Sequence, residues 1–149
     1  MEGLIMSEIW HRRPDPLLIG KMSQGTIDEH LNIAITDVGD DYLTGTMPAD
    51  QRTFQPYGVV HGGANVVLAE SLGSIAGAHV IDSDQYICLG QEVSATHLRP
   101  VSAGVVTGTA RPIHLGKRSH VWEIRLTNDE GKLSCLAKLI LAIIPKHTA

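Results

Sequence analysis

The chain has 149 residues, which is enough for one domain with a sizeable hydrophobic core. Hydrophobic residues make up 43% and charged residues 19%, a balance typical of a folded globular protein and wrong for a disordered one. The net charge of −4 argues against general attraction to nucleic acid. We expect one domain over residues 1–149, with residues 1–14 as a flexible N-terminal extension.

The N-terminus carries acidic side chains early and has no long apolar run, which argues against a secretory signal. No apolar stretch approaches the ~20 residues that a membrane-spanning helix needs. The two cysteines, Cys88 and Cys135, stand in apolar or small-residue settings outside any CxxC pair, which is typical of reduced, buried thiols. The expected location is the cytoplasm, with neither a membrane nor a nucleic acid as partner.

The first part of the chain predicts a short helix, a further helical turn, two strands joined by a turn, and a loop. In chain order the ranges are residues 16–24, 26–30, 31–38, 42–47 and 50–58. The helix follows from Asp15 before Pro16, which suits an N-cap and the first helical position. The strands follow from apolar side chains that alternate with period two.

Residues 62–80 differ from the rest, because they are alanine-rich, proline-free and apolar almost all round. A strand of about 19 residues would be unusually long, so we predict a buried helix. Each glycine within it costs about 1 kcal/mol relative to alanine, which tight packing must offset. Since all its sides need burial, part of the helix must meet a sheet and part another subunit.

Four further strands are expected after this helix. Their ranges are residues 86–98, 104–114, 119–127 and 132–144. Together with the first two they give about six strands. The predicted class is α+β, with a curved antiparallel sheet wrapped around the long central helix.

Glu70 is the only ionisable side chain in the middle of the long helix. A carboxylate is costly to bury unless it is paired. Ser74 follows one turn later and shares its face, while Gly73 and Gly77 leave room beside it. A carboxylate, a hydroxyl and an open groove together favour a substrate site. The alternative is a structural glutamate that bonds nearby backbone or an arginine.

The segment QPYGVVHGG, residues 55–63, leads directly into the helix. A helix N-terminus presents unpaired N–H groups and partial positive charge, and glycine lets a ligand approach the backbone closely. These properties suit an oxyanion hole, with the Gly62 amide as the leading candidate. Gln55 and His61 could position or polarise the same carbonyl. The alternatives are a tight turn at the glycines and an ordinary hydrogen-bonding role for His61.

The spacing between Gly62 and Glu70 is eight residues, or about 12 Å of helix. One carbonyl group cannot touch both within one chain, because each contact must be about 3 Å long. If both residues serve one reaction, two subunits with antiparallel helices share the site. The protein is then at least a dimer.

The run QPYGVVHGGANVVLAESLGSIAGA resembles the signature of hotdog-fold acyl-CoA thioesterases. The similarity extends from about residue 31 to residue 144 and includes HLRP at 97–100 and HLGKRSHVWEI at 114–124. It is strongest to the aryl-CoA branch, which contains 4-hydroxybenzoyl-CoA thioesterases and the 1,4-dihydroxy-2-naphthoyl-CoA hydrolases of menaquinone synthesis. A sister branch has aspartate at the Glu70 position. The resemblance implies the hotdog fold and hydrolysis of an aromatic acyl-CoA to the free acid and CoA.

The resemblance also implies a role for each matching residue. Glu70 is nucleophile or general base, the Gly62 amide holds the oxyanion, and Ser74 places the attacking water. Gln55 and His61 match the glutamine and histidine that the family's dimers place opposite the partner's glutamate. A homodimer is implied as the minimal active unit, and a homotetramer as the usual assembly.

The chain has neither a P-loop nor a GxGxxG motif, so scattered cations and amides must bind the phosphates of CoA. The candidates, from HLRP and the LGKRS turn, are His97, Arg99, Gly116, Lys117, Arg118 and Ser119. The alternative for Lys117 and Arg118 is an ordinary solvated turn. No cofactor is expected, because CoA is part of the substrate. No metal is expected either, since HxxxH, HExxH and Cys/His clusters are absent.

Other functions stay open at this point. They are a broad-specificity medium-chain or carrier-protein-linked acyl thioesterase, a non-catalytic acyl-CoA binding protein, and a hydratase or dehydratase on acyl thioesters. The last typically needs a differently spaced acid–histidine motif, which the sequence lacks. The acyl pocket is expected to use Val59, Val60, Val67 and Leu68 together with residues of the partner subunit, and these indicate only an apolar, medium-sized group.

Overall fold

The computed structural model describes residues 7–147 and consists of one six-stranded antiparallel sheet and three helices over that range. The elements before the long helix are α1 (Pro16–Met22), α2 (Ile27–His30), β1 (Ala34–Val38) and β2 (Leu43–Pro48). The long helix and the strands after it are α3 (Gly62–Val80), β3 (Tyr86–His97), β4 (Val105–Leu115), β5 (Ser119–Thr127) and β6 (Leu133–Pro145).

The strands are ordered β1-β2-β4-β5-β6-β3 across the sheet. Helix α3 packs against β2, β3, β4, β5 and β6, so the sheet curves around it. The α+β class and the hotdog fold are therefore confirmed. The twelve-residue strand β3 forms one edge and pairs on one side only, with β6.

Helix α3 approaches the sheet closely because glycines make room for its leucines. Gly45 of β2 and Gly108 of β4 are directly paired across the sheet. A Cβ atom built on Gly45 or Gly108 would lie 2.7 Å or 2.6 Å from a methyl group of Leu72. Leu72 therefore fills a depression that exists because two facing positions have no side chain.

The glycines of the helix serve the same contact from the other side. A Cβ atom on Gly73 would lie 2.6 Å from Leu139 Cδ2, and one on Gly77 would overlap Leu141 Cδ1. Leu139 and Leu141 are both fully buried on β6. The close packing predicted to offset the helix cost of these glycines is thus present.

The first predicted strand begins three residues later than expected. We predicted it over residues 31–38, but the Ile33 amide donates to the Asp28 carbonyl at 2.8 Å and Asn32 has a φ of 52°. These residues still complete the end of α2, so pairing with β2 starts only at Ala34. The bounds of α3 and β5 agree with the predicted ranges.

The predicted flexible extension covers residues 1–14, of which 1–6 lie outside the described residues. In the described part, Trp10 is buried and its Nε1 donates to the Gly39 carbonyl at 2.8 Å. The amides of Ile9 and His11 donate to the carbonyls of Asp40 and His79. Residues 9–11 are thus bonded both to the β1–β2 turn and to the end of α3.

The sheet covers only one side of α3. The buried positions lie on that side, while a stripe that includes Val67, Glu70, Ser74 and Ala78 is partly or fully exposed. None of the helices in residues 7–147 combines the length and the hydrophobicity that a membrane-spanning segment needs. This stripe is the part of α3 that the sheet leaves available for the predicted contact with another subunit.

We predict that Leu72→Ala destabilises the fold by about 2–5 kcal/mol, because removing a wholly buried leucine leaves a cavity above the two glycines. Leu17→Ala is the matched control, since Leu17 is 81% exposed and should change stability little. Urea unfolding measures both variants. If Leu72→Ala and Leu17→Ala unfold at the same urea concentration, the contact between Leu72 and the glycine pair contributes little to stability.

Candidate functional site

The loop before α3 is closed on itself, which holds Gln55 in place. Phe54 and Val60 form an isolated antiparallel bridge, and the Gln55 amide donates to the Val59 carbonyl at 2.9 Å. The turn between them needs Gly58, which has a φ of 77°. The Gln55 side-chain oxygen accepts from the Tyr57 amide. The Gln55 side-chain nitrogen therefore stays available as a donor.

His61 caps the N-terminus of α3. Its Nδ1 accepts from the Gly63 amide at 2.8 Å, while its own amide donates to the Thr53 carbonyl at 2.7 Å. The Gly62 amide has no acceptor among residues 7–147. The predicted oxyanion donor is thus free and lies at the positive end of a nineteen-residue helix.

His97 at the end of β3 lies directly beside Gly62. A Cβ atom on Gly62 would lie 2.8 Å from His97 Nε2, so glycine is needed for this close approach. His97 Nδ1 is hydrogen-bonded to the Asn65 side chain at 3.3 Å. Asn65 is buried, and its Oδ1 has no partner in the described part of the chain. Asn65 fixes the ring that packs against the predicted oxyanion donor.

Most of the residues near the N-terminus of α3 that were predicted to bind or act on substrate line one groove. It has a volume of about 340 Å³. Its polar lining includes Gln55, Gly62, Asn65, His97 and Arg99. Two predicted CoA-binding residues, His97 and Arg99, therefore share a surface with two predicted catalytic residues, while Glu70 does not line it.

Glu70 lies in the middle of α3, on the edge of the exposed stripe that faces β3. Its carboxylate has no hydrogen bond and no ion pair among residues 7–147. The structural alternative, a glutamate bonded to backbone or arginine, is therefore not what the described chain shows. A half-buried carboxylate without a partner is free to act on a bound molecule.

The surroundings of Glu70 include two hydroxyls with different roles. Ser71 Oγ donates to the Asp28 carboxylate at 2.6 Å, which ties α2 to α3. Ser74 Oγ has no hydrogen-bond partner among the described residues, so it is free to orient a water beside Glu70. The Ser74 carbonyl accepts from Cys88 Sγ at 3.7 Å, and burial raises the pKa of the Cys88 thiol.

A second groove of about 320 Å³ runs between the two short helices and the exposed side of α3. Met22 and Ile27 line one wall, and Ser71, Ile75 and Ala78 line the other. The expectation that Leu68 lines an acyl pocket is wrong for the described chain. Leu68 is wholly buried and faces Gly108 of the sheet.

The LGKRS turn lies at the opposite end of α3. Gly116 and Lys117 line a cavity of about 410 Å³ together with Val80 and Ile81, which end the helix. The side chains of Lys117 and Arg118 are exposed and form no ion pair among residues 7–147. Since α3 is roughly 28 Å long, one chain does not bring this turn to the groove at Gly62.

Within residues 7–147, no group of three or more His, Cys, Asp or Glu side chains could hold a metal ion. The groups that the chain does supply are a free backbone N–H at a helix N-terminus, an amide donor on Gln55, an unpaired carboxylate on Glu70 and a free hydroxyl on Ser74. Such groups suit stabilisation of an oxyanion and activation of a water.

Comparison with known proteins gives consistent results. The family model described as thioesterase superfamily matches residues 57–135. The chain is 45% identical to the proofreading thioesterase EntH of Cronobacter sakazakii over 136 residues, 91% of this chain and 98% of the relative. It is 42% identical to the 1,4-dihydroxy-2-naphthoyl-CoA hydrolase of Escherichia coli K12 over 136 residues, 91% of this chain and 99% of the relative.

The fold is also found in solved structures. A crystal structure of a mutant of thioesterase PA1618 from Pseudomonas aeruginosa superposes with a TM-score of 0.92 and 47% identity. The match covers 93% of this chain and 100% of that chain. The similarity therefore extends over nearly the whole chain, including both ends of α3.

Proposed function

Because the chain belongs to the thioesterase superfamily, we propose that it hydrolyses an aromatic acyl-CoA thioester at a site shared between two subunits. The observation that carries this proposal is the Glu70 carboxylate on the partly exposed side of α3, which has no hydrogen bond and no ion pair among residues 7–147. The free Gly62 amide supports it, because thioester hydrolysis needs both a group that activates the attack and a donor for the oxyanion.

In the proposed reaction the thioester carbonyl oxygen accepts a hydrogen bond from the Gly62 amide. Glu70 either takes a proton from a water that attacks the carbonyl carbon, or attacks that carbon itself to form an anhydride that water then hydrolyses. The C–S bond breaks and CoA leaves as a thiolate. Ser74 is placed to orient the water in either route.

Two observations support a shared site: the distance between Gly62 and Glu70, and the free edge of the sheet. Gly62 and Glu70 lie about 12 Å apart along one helix, too far for one carbonyl group. Strand β3 exposes Ile87 by 40% and Leu89 by 54%, and an unpaired edge of this length invites pairing with another chain. Antiparallel pairing of two β3 edges around a two-fold axis would set the two α3 helices side by side and antiparallel.

The same arrangement would complete the site for CoA. Arg99 and His97 lie at the Gly62 end, whereas Lys117 and Arg118 lie at the far end of α3. In an antiparallel pair, the LGKRS turn of one subunit comes to the Gly62 end of the other. The unpaired cations would then be available to the CoA phosphates.

The acyl group has a candidate place in the groove between the short helices and α3. The groove is mainly apolar and adjoins the stripe with Glu70 and Ser74. Its volume of about 320 Å³ is at the lower end for small-ligand sites, which suits an aromatic ring system. The naphthoyl-CoA hydrolase named among the relatives acts on an acyl group of this kind.

We predict that Glu70→Gln lowers kcat for CoA release by about 10²–10⁴-fold with benzoyl-type and naphthoyl-type CoA esters. Glu123→Gln is the matched control, because Glu123 lies on β5 and its ion-pair partner among residues 7–147 is Arg125. Full turnover by Glu70→Gln would remove this residue from the chemistry. Tight ester binding by the wild type without thiol release would instead indicate a binding protein.

A hybrid dimer tests the shared site. Glu70→Gln and Gln55→Ala chains are co-expressed with different tags, and the hybrid is isolated by two affinity steps. If each site takes Gln55 from one subunit and Glu70 from the other, one site of the hybrid is intact, and about half of the wild-type turnover returns. Turnover no higher than the mean of the two parent dimers would place the site within a single chain.

The place of the acyl group is tested at Ile75. We predict that Ile75→Phe lowers kcat/KM for naphthoyl-type CoA by at least about tenfold while acetyl-CoA hydrolysis changes little, because the larger side chain narrows the groove. Ile113→Phe, on an exposed position of β4, is the matched control. An equal loss with both substrates would place the acyl group elsewhere.

A further inference from the structure

Strand β3 passes directly beside Glu70 at Gly90. A Cβ atom built on Gly90 would overlap Glu70 Oε1, and it would lie 3.4 Å from Glu70 Cδ and 3.9 Å from Glu70 Cγ. No atom of any other residue is among the three nearest to that position. The Glu70 side chain is therefore the nearest group to the position that a side chain at Gly90 would take.

The backbone at Gly90 does not itself require glycine. The glycines of the described chain with positive φ are Gly25, Gly58, Gly104 and Gly131, and Gly90 is not among them. An L-amino acid could adopt its backbone conformation, and most residues are better suited to a strand than glycine. The reason for glycine here is the room that it leaves for the carboxylate of Glu70.

The strand is also irregular at this point. Gly90 pairs with Leu141 and Glu92 with Ile140, so Gln91 is an extra residue in β3. Such bulges commonly occur next to active sites, where they change the direction of side chains. Cys88 contacts α3 before the bulge, and Val93 and Ala95 pack on the core after it. The β3 residues that face the core therefore have even numbers before the bulge and odd numbers after it, and this change occurs beside Glu70.

Glu70 has no hydrogen bond within the described chain that could fix its carboxylate. Its side chain has rotatable bonds and lies on the partly exposed stripe of α3, so only packing restricts it. The contact between the Glu70 carboxylate and the β3 backbone at Gly90 limits how far the carboxylate extends towards the edge of the sheet.

We propose that Gly90 is a positioning residue, whose missing side chain, together with the bulge at Gln91, forms the niche that sets the position of the Glu70 carboxylate. This inference rests on the proposed role of Glu70. A methyl group at position 90 displaces the carboxylate by rotation of the glutamate side chain, which is partly exposed and free to move. The fold is retained, while the distance from the carboxylate to the substrate changes.

The test is Gly90→Ala, assayed by CoA release with a benzoyl-type CoA ester. We expect kcat to fall by about 100-fold, because a shift of about 1 Å at the reacting group costs that much, while KM and the urea midpoint change little. Gly20→Ala is the matched control, since a Cβ atom on Gly20 has no neighbour within 4 Å. An unchanged kcat for Gly90→Ala would overturn the proposal.

The second arm repeats Gly90→Ala in a Glu70→Asp background. Aspartate is one methylene shorter and does not fill the niche, so the added methyl group should lower kcat less than threefold. A loss as large as in the wild-type background would mean that Gly90 acts through the sheet, which overturns the proposal. Full activity of the Glu70→Ala single variant would refute the proposed function instead. Failure of the Gly90 proposal and failure of the proposed function therefore give different results.

A crystal structure of the Gly90→Ala variant gives an independent readout. We expect the Glu70 carboxylate in a different rotamer, with β3 and β6 in their original register. An unmoved carboxylate would contradict the proposal regardless of the kinetics.

Discussion

The close contact between α3 and the sheet is the interaction on which the rest of the molecule depends. Leu72 fills the space over two facing glycines of the sheet, while leucines of β6 pack against two glycines of the helix. Glycine on both sides lets the backbones approach, and the many dispersion contacts that result offset the low helix propensity of the glycines. This contact also decides which face of α3 stays uncovered, and that face carries Glu70 and Ser74.

The main features of fold and site could be predicted because they leave local patterns. An apolar, alanine-rich run without proline predicts a buried helix, and a single acidic residue within it stands out as Glu70. The N-terminal features, Gly62 and His61, are contiguous with the helix and share its signal. The start of β1 was predicted wrongly, because the bond from Ile33 to Asp28 competes with strand pairing and has no periodic pattern.

Other parts of the site depend on contacts distant in sequence. The hydrogen bond between Asn65 and His97 joins positions 32 residues apart, so no local pattern predicts it. Gly90 gave no signal, because its importance lies in the side chain that it faces. The predicted CoA-binding residues divide between the two ends of α3, which the sequence alone did not indicate. That division agrees with the proposed exchange of residues between subunits.

The strand order has a consequence for biosynthesis. Strand β3 is made directly after α3, yet its partner in this chain is β6, and β4 and β5 must be made in between. On the ribosome, β3 therefore emerges with both edges unsatisfied, next to a helix whose sheet is incomplete. Non-local pairing of this kind slows folding and prolongs the exposure of apolar surface. A nascent chain that stalls before β6 should be the form most dependent on chaperones.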